Sequence, residues 1–216
     1  MKVDAAGADA EPHSSTSKAK HRGRAIGAET EAAIIRVASE EFALHGYEAV
    51  SMRSIAARVA ITPPSIYLYF RDKRSLYVAC CLHSVSALCS QMIAHMRSRR
   101  SPARRLEVFL THLTDALLHD PGPARLFLRT LMERDDDILA RLERELVHEL
   151  FVLIRDAIGE LHGKAKAAES AASMLALTLG LLQFSPFIES AGYSLSFNRN
   201  PKALARHVMA TILKDA

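Results

Sequence analysis

The stretch IIRVASEEFALHGYEAVSMRSIAARVAITPPSIYLYFRDKRSLY, residues 34–77, decides the fold. Ile34, Ile35, Ala38 and Phe42 recur at three- and four-residue steps, which places them on one face of a helix that the text opens near Glu29. Gly46 stops it: with the helix closing at His45, the glycine takes the position after the C-cap, where a positive φ is cheap, and Tyr47 can fold back onto Phe42. Ser51 is a good N-cap for a second helix, MRSIAARVA, with Ile55, Ala56 and Val59 on a shared face. After a break at Ile61, Thr62 can cap a third helix from Pro63 to Phe70, because a proline in the first turn gives up no hydrogen bond. Two short helices around such a break describe a helix-turn-helix. Only Ile66 and Phe70, four residues apart, need face inward, which leaves Pro64, Ser65, Tyr67, Leu68 and Tyr69 turned outward.

The surroundings of this stretch suit a polyanionic partner. The chain carries 28 Lys and Arg against 24 Asp and Glu, and residues 18–77 alone hold ten basic and six acidic side chains. The excess therefore lies in the N-terminal part. Residues 1–23 have almost no large apolar side chain and read as a disordered, mobile arm whose basic end, Lys18, Lys20, His21 and Arg22 with Arg24 just after it, is either a solvated tail or a further phosphate contact.

The same residues resemble the N-terminal domain of the tetracycline-repressor (TetR) family over residues 29–77. The resemblance is carried by F-x-x-x-G-Y at Phe42 to Tyr47, by S-M-R-x-I-A from Ser51, and by S-I-Y-x-Y-F followed by D-K at Ser65 to Lys73. Two positions depart from the family pattern, Ala60 where Gly is usual and Pro64 where Gly or Ala is frequent. Ala60 implies either a turn with no need of a left-handed residue or a chain that tolerates strain there. The resemblance implies a homodimer that sets two recognition helices in successive major grooves of double-stranded operator DNA, roughly 34–36 Å apart. It assigns phosphate contacts to Thr62, Tyr67 and Lys73, and base-edge contacts to Arg53, Ser65 and Tyr69, with Leu68 beside a thymine methyl and Pro64 stiffening the helix start. Singly, Tyr67 could be a half-buried core residue and Arg53 a solvated one.

The remaining text is helical throughout, so the fold class is all-α: a helix-turn-helix domain over residues 24–76 and a larger helical domain over residues 77–216, which the resemblance implies is the ligand-binding and dimerisation domain. Asp72 can cap a long helix from Lys73 to Arg97, and further helices are expected over residues 102–119, 123–134, 136–161, 164–187 and 201–214. The segment AASMLALTLGLLQF is apolar nearly all round, and its match to the family's eighth helix implies a homodimer interface shared with residues 201–214, with Ala171, Ala172, Ala176 and Gly180 allowing close approach. Phe109, His112, Phe127, Met132, Phe151, Gln183, Phe184 and Phe187 are candidate contacts for a small hydrophobic or aromatic effector, each with a plain core or surface alternative.

Other classes find little footing. The longest apolar stretch, Met174 to Leu182, is far short of the roughly 20 residues that span a bilayer, and no signal segment opens the chain, so a cytoplasmic protein without a membrane partner is expected. No metal-ligand spacing, phosphate loop or nucleophile elbow is present, so neither enzyme activity nor a cofactor is expected. Two rivals stay open: a redox sensor built on Cys80, Cys81 and Cys89, and a helical module whose helix-turn-helix binds protein instead of DNA.

Overall fold

The computed structural model describes residues 15–133, 135–197 and 200–214, with side chains from residue 26 onward. Among the described residues the chain forms ten α-helices and no strand: α1 (Ser15–Ala49), α2 (Met52–Arg58), α3 (Pro63–Ile66), α4 (Lys73–Arg97), α5 (Pro102–His119), α6 (Pro121–Glu133), α7 (Asp136–Leu142), α8 (His148–His162), α9 (Ala167–Ser190) and α10 (Pro201–Ile212). A π-helical segment, Glu143–Val147, joins α7 to α8.

Local chemistry fixes the N-terminal unit. α1 breaks its helical path at Gly46, where φ is +80° and ψ 170°, and one more turn runs to Ala49. The Tyr47 ring stacks on Phe42 at 6.1 Å between centroids. Ser51 and Ser54 form a reciprocal capping box, with Ser54 N donating to Ser51 Oγ at 3.0 Å. Asp72 and Ser75 repeat the device at the start of α4, Ser75 N donating to Asp72 Oδ1 at 2.7 Å.

Three expectations for this unit need correction. Residues 1–14 of the expected arm lie outside the described residues, and residues 15–23 continue α1, since Lys, Ala and Arg are good helix formers and extending an existing helix needs no new nucleus. Thr62 occupies the N-cap of α3 in an extended conformation, yet its hydroxyl pairs with Ser65 Oγ at 2.7 Å instead of an amide. α3 proper ends at Ile66, and Tyr67, Leu68 and Tyr69 continue in tight turns bonded to the residue three back.

In the larger unit α4 and α5 are the central pair. α4 packs on α1, α5, α6 and α8, while α5 also meets α8, α9 and α10. Several boundaries differ from expectation. α6 starts at Pro121, because Pro and Gly are tolerated in the unbonded first turn and Asp120 Oδ1 accepts from Gly122 N at 3.1 Å. The helix expected over residues 136–161 carries the π-helical interruption, and α9 is displaced to Ala167–Ser190 with Pro186 inside it. α4 and α9 are long and apolar enough to cross a membrane by length and composition. Both pack in the bundle, α4 through Leu76, Cys80, Val85, Met92 and Met96, and α9 through Ala171, Met174 and Thr178.

Candidate functional site

Two features stand out: an exposed short helix and an apolar cavity. On α3 and its turn, Ile66 and Phe70 are buried while Tyr67 is 54% and Leu68 84% exposed. Thr62 and Pro64 are also exposed, and Arg53 stands exposed on α2 without a side-chain partner among the described residues. Ser65 and Tyr69 are half-buried, and Tyr69 packs against the core, a correction to its expected outward position. In the tight turns after Ile66, Tyr69 comes round to the side of Phe70. Lys73 points back into its own domain: Nζ donates to the Glu48 carbonyl at 3.2 Å and lies 4.3 Å from the centroid of the Tyr47 ring. An ammonium has three donors, so this use leaves hydrogens for another acceptor.

The cavity, about 380 Å3, lies between α4, α5, α6, α8 and α9. Its walls are Val85, Leu88, Cys89 and Met92 of α4, Phe109, Leu113 and Leu117 of α5, Phe127 and Leu131 of α6, Leu150 and Phe151 of α8, and Leu175 and Leu179 of α9, with Val147 from the π-helical segment. Of the expected effector contacts, Phe109, Phe127 and Phe151 line it. His112, Met132, Gln183, Phe184 and Phe187 do not. The helical pitch gives the reason. Turning Phe127 and Leu131 inward leaves Met132 83% exposed, while Gln183, Phe184 and Phe187 lie in the last turns of α9, past Leu179 where the cavity wall ends, and are exposed. His112 stacks instead on His95 of α4, ring centroids 4.0 Å apart. The pitch of α9 also places Ala172 and Ala176 on the cavity wall and Ala171 in the core.

Residues 34–80 match the family described as "Bacterial regulatory proteins, tetR family". Those residues run from α1 through the helix-turn-helix into the start of α4, and that is where the likeness to the TetR family lies. The chain is 26% identical to the HTH-type transcriptional activator FasR of Mycolicibacterium smegmatis over 166 residues, 77% of this chain and 72% of that one. It is 29% identical over 108 residues to the HTH-type transcriptional repressor KstR of Rhodococcus jostii, 49% of this chain and 50% of that one. Among solved structures, AibR in complex with isovaleryl coenzyme A and operator DNA superposes with a TM-score of 0.63 at 18% identity, covering 84% of this chain and 97% of that one. The last likeness speaks to the fold.

In this chain the two features are tied together by residues that carry no sequence signal. Arg129 of α6 sends Nε to the Ala43 carbonyl at 3.3 Å and Nη2 to the Leu44 carbonyl at 3.4 Å, holding α1 just ahead of the Gly46 break. A Cβ on Gly46 would meet the guanidinium at 2.9 Å. Tyr77 of α4 packs edge-on against Phe42 and Tyr47 and bonds Thr130 Oγ1 at 3.2 Å and Glu133 Oε2 at 3.0 Å on α6. Arg74 of α4 reaches Asp135, the N-cap of α7, at 2.9 Å. α6 thus lines the cavity on one face and grips the DNA-reading unit of the TetR fold on the other.

The cysteines offer a redox sensor little. All three are buried and unpaired, and burial pushes Cys80 up to about 12 and Cys81 and Cys89 up to about 11, so the nucleophilic thiolate is scarce near neutral pH.

Proposed function

We propose that this protein acts in the bacterial cytoplasm as a homodimeric, effector-responsive repressor, held on operator DNA by α3 and released when an apolar small molecule fills the cavity. It has no catalytic part in this reading. The observation that carries the reading is the double face of α6, with Phe127 and Leu131 in the cavity wall and Arg129 on the α1 carbonyls. A ligand that favours a shifted α6 favours the DNA-free arrangement, and by linkage weakens DNA binding by the factor that DNA weakens its own.

Thr62, Pro64, Ser65, Tyr67 and Leu68 present the recognition surface, with Arg53 beside it, and Tyr69 and Lys73 support it from behind. Hydroxyls and cations along a short helix suit phosphate oxygens, and Arg53 can bond a guanine edge in bidentate fashion. Support for two partners on one such fold comes from AibR, whose structure holds both a ligand and operator DNA.

The test is fluorescence anisotropy on genomic fragments selected by the purified protein. Affinity should fall steeply with rising salt, as phosphate neutralisation requires. Tyr67→Ala should weaken binding about tenfold or more, in line with roughly 1–3 kcal/mol for an interface tyrosine, and leave the melting temperature unchanged because the ring is exposed. Salt-insensitive binding, or a Tyr67→Ala variant with full affinity, would overturn the reading.

A further inference from the structure

The effector cavity shares part of its wall with a second hollow of different chemistry. Ser84 of α4 and Pro123 of α6 line the cavity and also line a groove of about 680 Å3 between α1, α4 and the α5–α6 turn. Inside the cavity the walls are apolar, and the one hydroxyl among them is that of Ser84, at the shared wall. A polar group placed deep inside would find no hydrogen-bond partner, whereas the same group at Ser84 faces the groove.

The groove has a definite charge balance. Its charged residues are Glu29, Arg36, Glu40 and Asp120, with His83 on the α4 side. Arg36 donates to Glu40 at 3.3 Å, and with Glu29 and Asp120 the lining holds three carboxylates against that one guanidinium. An anionic head would sit in a lining of net like charge; a hydroxyl or ammonium would meet acceptors.

We infer that the effector is an amphiphile whose apolar body fills the cavity and whose uncharged or cationic, hydrogen-donating head passes Ser84 and Pro123 into the groove beside α1. The inference rests on the effector reading above and narrows it to a ligand class. It also gives the head a direct hold on the DNA-reading unit, since α1 forms one wall of the groove.

Calorimetric titration of the intact protein with four probes tests this: toluene, which has no head, and decylamine, decanoate and decanoyl-coenzyme A, which share a ten-carbon tail. Decylamine, protonated at neutral pH, should bind at least about tenfold tighter than decanoate or decanoyl-coenzyme A. Ala87→Trp, at an exposed position on the groove wall, should weaken decylamine about tenfold and leave toluene binding unchanged. Glu29→Lys, on exposed α1 surface, should shrink the decylamine-to-decanoate ratio severalfold, and it keeps the test open should the tryptophan variant misfold. Decanoate or decanoyl-coenzyme A binding as tightly as decylamine overturns the proposal, as does a folded Ala87→Trp variant with undiminished decylamine affinity. Failure of every probe, toluene included, would instead overturn the effector reading on which it rests.

Discussion

Ala60 adopts a φ of +59°, the one positive value among the described non-glycine residues, in the turn between the two helices of the DNA-reading unit. A Cβ in that region crowds the following carbonyl at about 1–2 kcal/mol, while glycine gives back part of the gain through its freer unfolded chain, about 0.4–1 kcal/mol. Ala60→Gly should therefore stabilise the fold by about 0.5–1 kcal/mol, read as a higher urea midpoint at unchanged slope; a lower midpoint would show that the turn bears no strain. The sequence left two readings of Ala60 open, and the structure selects the strained one. Caps at Ser51 and Asp72 were legible because a cap is a local pattern of side chain and spacing. Arg129 was not, since a surface arginine on an amphipathic helix looks the same whether it meets water or two carbonyls 86 and 85 residues away. Arg129→Ala should leave the effector cavity intact but loosen α1, so that effector still binds with near-normal affinity while its effect on DNA affinity falls severalfold. Full retention of that coupling would remove α6 from the proposed route.

At the scale of elements, periodicity located helices well and their irregularities poorly. α5 came out over the expected residues because Pro102 and the Asp120-Pro-Gly-Pro run bracket it, whereas nothing in Glu143 to Val147 announces a π-helical segment beside the cavity. Apolar spacing cannot tell a filled core from a cavity wall, as Leu113, Leu117 and Leu150 on that wall show, because both ask for the same side chains. Helix pairing supplies chemistry that periodicity hides. His95 of α4 stacks on His112 of α5 with the rings 8° from parallel, and His95 Nδ1 is buried without a hydrogen-bond partner. Burial first, and the neighbouring His95 second, hold the His112 imidazole below its ordinary value, with Asp115 acting the other way and Arg99 adding to the depression. The unfolded chain thus takes up a proton at higher pH than the folded one. This contribution to stability is complete above about pH 6.5 and is lost as pH falls toward the depressed folded value. The melting temperature of the protein should drop between pH 7.5 and 5.5, and His112→Gln should shrink that drop. An equal drop in the variant would show that other groups carry the pH dependence.

For the whole molecule the decisive surface is the outer face of α9. Its inner face meets the core and the cavity through Ala171, Met174, Leu175 and Leu179, and Leu177, Leu181 and Leu182 are half-buried, while among the described residues Phe184 stays 66% and Phe187 68% exposed. Exposed apolar side chains of this size, side by side on a rigid helix, mark an interaction surface. α10 packs along α9, so the two helices offer the four-helix, two-fold contact expected of the apolar text, although the small residues Ala172 and Ala176 turned out to serve the cavity. Composition marked α9 as a helix too apolar for solvent; which of its faces is free depended on the bundle's packing. A dimer matters for function because one α3 reads a single half-site, and joining two makes the second contact intramolecular, a gain on the order of 10²–10⁴ in affinity. Phe184→Glu with Phe187→Glu removes apolar contact and places charges that repel their symmetry mates. Since both positions face outward, the monomer should keep its fold and melt within a few degrees of the parent. Sedimentation velocity should then show a single protomer, and operator affinity should fall about a hundredfold while binding to an isolated half-site is unchanged. A variant that still sediments as a dimer would move the interface off α9, and a monomer with full operator affinity would break the link between pairing and DNA recognition.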